Sequence, residues 1–127
     1  MKNNRKQYFI NIIDNINNNG RIIDIGGGKN PHPCATHILD KQKFNDVIVD
    51  IDDYPKYSKD TYTESDFYNL PWPFPDKYFD FSICTHTLED LKDPIPIISE
   101  IIRISQKGYI STPTRAQEST MIQLQNV

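Results

Sequence analysis

One short segment, residues 22–30, constrains the fold of this chain more than any other. It reads Ile-Ile-Asp-Ile-Gly-Gly-Gly-Lys-Asn, an apolar strand that contains Asp24 and runs into three consecutive glycines. Glycine has no Cβ, so the backbone can take left-handed angles and can lie close to a bound ligand. A strand that leads through such a turn toward a helix forms a polar binding edge in open α/β sheets. The segment predicts a site for a nucleotide-like cofactor, although a tight strand-to-helix connection without a ligand would read the same way.

Length and composition predict one soluble domain. The chain has 127 residues, 37% of them hydrophobic, which is enough for a single packed core. We expect a domain over residues 1–127, with an N-terminal helix in 1–19, a cofactor-binding core in 20–113 and a tail in 114–127. The net charge of −3 indicates no nucleic-acid surface.

Cysteine content and hydropathy indicate the compartment. Two cysteines, Cys34 and Cys84, occur without a signal peptide, so we expect reduced thiols and a cytoplasmic protein. The sequence has no apolar run of membrane-spanning length, and we therefore expect no membrane contact.

Hydrophobic periodicity predicts strands that alternate with helical or loop segments. The predicted strands are Ile22–Ile25, Asp46–Asp52, 61–66, Phe79–Thr85 and Tyr109–Thr112, the last entered through a turn at Lys107 and Gly108. The predicted helices are 7–17 and 94–105, and a short helix or loop is expected at 31–40. This alternation is typical of a Rossmann-like α/β fold, a parallel sheet flanked by helices.

Two acidic residues lie where predicted strands end. Asp50 would close the second strand about 25 residues after the glycines, where a carboxylate can bind two ribose hydroxyls. Asp66 would close the third strand, where a carboxylate can accept from an exocyclic adenine amine, with Phe67 or its backbone beside the ring. Either acid could instead be solvated at a strand end.

The segment after the fourth strand, Cys84 to Asp90, would face the same cleft. Ligands of open parallel sheets lie beyond the carboxyl ends of the strands. His86 could orient a reactant or take its proton there, because histidine titrates near neutral pH. It could equally bind loop backbone.

Taken together and in order, these motifs resemble class I S-adenosylmethionine-dependent methyltransferases, most closely the small-molecule branch called methyltransferase domain 11. The resemblance covers about residues 20–113. It rests on Asp-Ile-Gly-Gly-Gly, Val-Asp-Ile-Asp, Ser-Asp-Phe, the segment Leu70–Asp80, the segment Cys84–Pro94, and the helix and strand in Ser99–Ile110.

The resemblance implies a fold, a cofactor and a set of site residues. It implies five strands in the order 3-2-1-4-5, without the last two strands of the full fold, and methyl transfer from S-adenosylmethionine to a small-molecule acceptor. The implied cofactor-binding residues are Asp24, Gly26, Gly27 and Gly28 for the methionine moiety, Asp50 for ribose, Asp66 and Phe67 for adenine, and Cys84 and Thr85 under the sulfonium. His86 is the implied catalytic base. No metal is expected.

Three departures from the family pattern matter. Asn30 and Pro31 follow the turn where the family often has a further glycine, and Asp90 stands where it often has histidine. The chain also ends after a fifth strand, whose edge would then be exposed and able to pair with a second copy or a completing partner chain.

Other functions remain open on sequence alone. A nicotinamide-binding domain would want glycine at the sixth position of the turn, where Pro31 stands. A metal site could use His32, Cys34 and His37 with Cys84 and His86, but their spacing matches no zinc pattern. A truncated cofactor-binding or regulatory subunit without activity is the remaining alternative.

Overall fold

The structure is a computed structural model that describes residues 20–28, 30–48, 57–85 and 87–111. The strands are β1 (Ile22–Ile25), β2 (His37–Asp40), β3 (Tyr62–Glu64), β4 (Phe79–Thr85) and β5 (Ser105–Ser111). The helices are α1 (Phe44–Ile48) and α2 (Ile95–Ile104), with a 3-10 turn at Leu88–Asp90. The helix predicted at 7–17 and the tail at 114–127 lie outside the described residues.

The described strands form one parallel sheet in the order β3-β2-β1-β4-β5. This confirms the predicted fold class and strand order. β1 lies in the middle, with Ile25 opposite Leu39 of β2 and Asp24 opposite Ile83 of β4. All five strands run the same way, so their carboxyl ends meet along one edge of the sheet.

The prediction of the second strand was wrong. β2 is His37–Asp40, inside the segment expected to be a short helix or loop. The sequence predicts this strand at Asp46–Asp52, but the first three residues of that range belong to α1, which begins at Phe44. The β-branched run around Val47 has strand propensity, but Val47 is buried against Ile38 of β2 and Tyr62 of β3 as part of a helix. Tertiary packing thus overrides local preference here.

The other elements agree with the sequence more closely. β1 and β4 have their predicted bounds, and β3 and α2 lie within their predicted ranges. β5 begins at Ser105, so the turn predicted at Lys107 and Gly108 is wrong and both residues lie within the strand.

The larger hydrophobic cluster packs between the sheet and α2. Ile97, Ile101 and Ile104 follow helical spacing on α2 and are fully buried. They pack with Ile23 and Ile25 of β1, which alternate with Asp24 along the strand. The strand therefore buries Ile23 and Ile25 against α2 and directs Asp24 to the opposite face, where Ile22 packs with Phe81 and Ile83 of β4. No helix in the described parts of the chain is long and apolar enough to cross a bilayer.

Polar contacts fix the loop after β3 against α2. The Trp72 backbone amide donates to Glu100 Oε2 (2.6 Å), and its indole Nε1 donates to the Phe67 carbonyl (3.1 Å). Arg103 donates to both carboxylate oxygens of Glu100, at 2.7 and 2.6 Å, and to the Phe74 carbonyl at 2.8 Å. These hydrogen bonds from Arg103 hold the pKa of Glu100 below its usual value. The loop that carries Asp66 is thereby anchored to the helix beneath it.

Candidate binding cleft at the carboxyl edge of the sheet

A cleft of about 470 Å³ opens at the carboxyl ends of β1 and β4. The strand order reverses at this point, where open α/β sheets bind their ligands. The size falls in the range of small-molecule sites. The lining residues are Asp24, Gly26, Gly27, Gly28, Asn30, Gln42 and Thr85.

The glycine turn forms the floor of the cleft and is packed from three sides. Gly26 and Gly28 have φ of +80° and +38°, angles that favour glycine. A Cβ on Gly26 would overlap the Thr87 side chain, and one on Gly28 would lie 2.8 Å from Asp40 Oδ2. A Cβ on Gly27 would lie 2.7 Å from the carboxyl carbon of Asp24. The turn therefore requires glycine both for its backbone angles and for the close approach of neighbouring side chains.

Asp24 is a buried carboxyl group that faces the cleft. It is 4% exposed, and its Oδ2 accepts a hydrogen bond from the His32 backbone amide at 2.7 Å. Burial raises the pKa of Asp24 to about 7, and the nearby charge of Asp40 adds to the effect, while the His32 amide opposes it. A cationic ligand group in the cleft would favour the ionised form of this carboxyl.

Asp40, at the end of β2, takes the position that the sequence assigned to Asp50. It is 5% exposed, its Oδ1 accepts from the Gln42 backbone amide at 3.0 Å, and its Oδ2 faces Gly28. The assignment of Asp50 rested on a strand that ends at residue 52, and that strand is misplaced. Asp50 itself lies outside the described residues. The signal for Asp40 was the short run Ile38-Leu39-Asp40, whose two apolar residues are too few to identify a strand.

The loop after β3 leaves Asp66 exposed to solvent and buries the Phe67 side chain. Asp66 is exposed, and its Oδ1 accepts from the Tyr68 amide at 2.8 Å in a local turn. The Phe67 ring is buried in the cluster beneath the sheet edge, and its carbonyl accepts from Trp72. The Phe67 side chain is therefore turned into the core and does not line the cleft.

The end of β4 supplies one of the three side chains that the sequence assigned to the cleft. Thr85 lines it. Cys84 is fully buried in the cluster against α2, because side chains alternate along a strand, so its predicted place under the sulfonium is wrong. His86 lies outside the described residues, between Thr85 and Thr87.

Of the residues considered for a metal site, His32 and Cys34 contact each other, whereas His37 packs against aromatic residues. His32 Nδ1 accepts from the Cys34 amide at 3.1 Å. His37 Nδ1 is 2.7 Å from Thr36 Oγ1, and its ring packs edge-on against Phe79 with centroids 5.1 Å apart. Within the described ranges, no group of three or more His, Cys, Asp or Glu residues is arranged to hold a metal ion.

Asp24 predicts a specific dependence of stability on pH. The folded-state pKa of about 7 exceeds the ordinary value of 3.8, so the folded protein keeps a proton that the unfolded chain releases between these values. Stability contributed at this site is therefore greatest below pH 4 and falls as pH rises toward 7. Asp24→Asn cannot ionise and keeps an oxygen for the His32 amide. We expect it to unfold at a higher temperature than wild type at pH 8. The corresponding gain in unfolding free energy is at most about 4 kcal/mol.

Thermal unfolding of both proteins from pH 4 to pH 8 measures this difference. The advantage of Asp24→Asn should shrink to a small fraction of its pH 8 value near pH 4, where the folded carboxyl is protonated and the unfolded one is only partly ionised. Asp60→Asn, at an exposed position, is the control and should follow the wild-type profile. Parallel wild-type and Asp24→Asn profiles across the range would contradict the assignment.

Comparisons with known proteins identify the family. The chain matches a family model described as a methyltransferase domain over residues 3–125. None of the curated proteins matches it in sequence. A solved protein of Methanococcus maripaludis, described as a candidate S-adenosyl-L-methionine-dependent methyltransferase, shares 25% identity at a TM-score of 0.61. That match covers 81% of this chain and 52% of the other.

Two more distant structures share the fold. The N-terminal domain of EvdMO1, solved in the presence of SAH and D-fucose, has 16% identity and a TM-score of 0.59, over 86% of this chain and 49% of its own. A complex between the Haloferax volcanii Trm112 methyltransferase activator and its methyltransferase candidate matches with 15% identity and a TM-score of 0.59. That match covers 88% of this chain and 60% of the other. This chain thus spans about half the length of the solved relatives. By its strand order and by a family match over nearly its whole length, the chain belongs to the class I S-adenosylmethionine-dependent methyltransferases.

Proposed function

We propose that this protein binds S-adenosylmethionine in the cleft and transfers its methyl group to a small-molecule acceptor. The observation that carries the proposal is the glycine-floored cleft at the strand-order reversal, flanked by the carboxyl groups of Asp24 and Asp40. The net charge of −3 disfavours a nucleic acid as the acceptor.

The residues of the cleft fit the chemical groups of this cofactor. Gly26, Gly27 and Gly28 all line the cleft, so a ligand there can lie against their backbone. Asp24 is placed to compensate a cationic amino group, and Asp40 can accept from the two ribose hydroxyls. Asp66 is exposed beyond β3 and can accept from an exocyclic amine. Each proposed contact pairs a hydrogen-bond donor of the cofactor with an oxygen acceptor of the chain.

The chain's contribution to methyl transfer is mainly orientation. The cofactor supplies a methyl group already activated by its sulfonium. The glycine turn, Asp24 and Asp40 hold the donor at the sheet edge, and Thr85 borders the space from β4. Holding two reactants in line removes much of the entropic part of the barrier. A base is needed only for an acceptor that must lose a proton, and we propose His86 for that role.

Alanine variants of Asp40 and Asp50 test which of the two carboxylates binds the ribose hydroxyls. Asp40→Ala should weaken the binding of S-adenosylhomocysteine by roughly 10- to 100-fold, because it removes an anionic acceptor of two hydroxyl hydrogen bonds. Isothermal titration calorimetry measures the affinity. Asp50→Ala is the matched comparison and should bind within about twofold of wild type, because the proposal assigns the ribose hydroxyls to Asp40 alone. A large loss in Asp50→Ala with none in Asp40→Ala would restore the original assignment.

The role of His86 predicts a separation of binding from turnover. His86→Gln should retain the affinity for S-adenosylhomocysteine while turnover falls by roughly 100-fold or more, as for loss of a general base. Transfer of labelled methyl groups to small molecules of a cell extract measures turnover. Equal losses of affinity and turnover would indicate a structural role instead.

The same assay addresses the alternative of a subunit that binds the cofactor without catalysis. Wild-type protein that binds S-adenosylhomocysteine yet transfers no methyl group under any acceptor condition would favour that alternative. Nothing in the geometry of the cleft favours it over an active enzyme.

We also propose that the edge of β5 receives a further strand, from a second copy or from a partner chain. In the described part of the chain β5 pairs only with β4, and a seven-residue edge strand is a template for pairing. A second copy predicts that protection of the β5 amides from hydrogen exchange rises with protein concentration. Rapid exchange there at both low and high concentration would contradict pairing with a second copy.

A further inference from the structure

The short connection between β2 and α1 is held by two side chains from β3. The Tyr62 hydroxyl donates to the Gln42 carbonyl at 2.9 Å, and Glu64 Oε1 accepts from the Phe44 backbone amide at 2.6 Å. β3 has only three residues, and the side chains of two of them, Tyr62 and Glu64, bind the backbone of this connection.

The same connection orients Asp40. The Gln42 amide donates to Asp40 Oδ1 at 3.0 Å, so one oxygen of the carboxylate is tied to the backbone that Tyr62 holds. The Gln42 side chain is exposed and lines the cleft, with its amide nitrogen beside Gly28. A continuous path therefore runs from the Tyr62 hydroxyl to the Gln42 carbonyl, across the Gln42 Cα to its amide, and on to Asp40 Oδ1, and it leaves Oδ2 turned toward Gly28.

The Tyr62 hydroxyl contributes nothing to packing that a phenylalanine would not. The ring is 4% exposed, lies among Ile38 and Val47, and meets the Phe44 ring edge-on with centroids 5.5 Å apart. Burial raises the pKa of Tyr62, and the charges of Asp40 and Glu64 raise it further, so the hydroxyl remains a donor. Its specific contribution is the hydrogen bond to Gln42.

We propose that Tyr62 is a positioning residue for the ribose end of the cleft, fixing the backbone of Gln42 through its carbonyl so that the Gln42 amide holds Asp40 with Oδ2 beside Gly28. The proposal rests on the proposed function, in which Asp40 accepts from the ribose hydroxyls. It assigns a role to a residue that touches neither cofactor nor acceptor.

The test compares Tyr62→Phe with Tyr57→Phe. Tyr57 belongs to the same cluster, is 3% exposed and donates from its hydroxyl to the Ala35 carbonyl at 2.7 Å. Both substitutions remove one hydroxyl that bonds a backbone carbonyl, but only Tyr62 leads to Asp40. Each protein is titrated calorimetrically with S-adenosylhomocysteine and with its 2′,3′-dideoxyribose analogue. Thermal unfolding confirms that both variants are folded.

Tyr62→Phe should bind S-adenosylhomocysteine roughly 5- to 10-fold more weakly than wild type, since one net hydrogen bond is at stake. It should bind the dideoxy analogue within about twofold of wild type, because that ligand has no hydroxyl for Asp40 to accept from. Tyr57→Phe should match wild type with both ligands.

Three results would overturn the proposal. They are an equal loss for both ligands in Tyr62→Phe, the same loss in Tyr57→Phe, or no loss in Tyr62→Phe. A wild-type protein that binds no S-adenosylhomocysteine overturns the proposed function itself, and that outcome is evident before any variant is compared.

Discussion

Parallel pairing of β1 between β2 and β4 is the constraint on which the rest of the structure depends. It brings the carboxyl ends of three strands to one edge, and it places the glycine turn where the strand order reverses. The Gly26 amide donates to the Leu39 carbonyl at 2.7 Å, so the pairing of β1 with β2 continues into the turn itself. The cleft is thus a consequence of how the central strand is hydrogen-bonded.

The turn and the residues around it are mutually dependent. Thr87, Asp24 and Asp40 each approach one glycine too closely for a Cβ to be present. Two of these neighbours are acids, and the burial that brings Asp24 against the turn also raises its pKa to about 7. The close packing that shapes the cleft therefore also determines its charge, and a cationic ligand group would complement it.

Most of the described elements were located from the sequence, but β2 was not. α2 carries isoleucines at helical spacing over ten residues, and β4 has seven residues of strand pattern, so both could be located from sequence. β2 has four residues, and the more strongly β-branched segment that follows it folds in part as α1. Because the second strand was predicted too late in the chain, Asp50 was predicted to close it, whereas Asp40 closes the observed strand. Alternation along β4 similarly turned Cys84 into the core while Thr85 faces the cleft.

The sequence by itself determined the family, the strand order and the glycine turn, because these depend on local pattern and on the order of motifs along the chain. The tertiary structure alone decided which acid closes β2, which side of β4 faces the cleft, and that the Tyr62 hydroxyl reaches the Gln42 carbonyl near Asp40. These features depend on contacts between residues distant in sequence. β2, with only two apolar residues, acquires its identity from the strands with which it pairs.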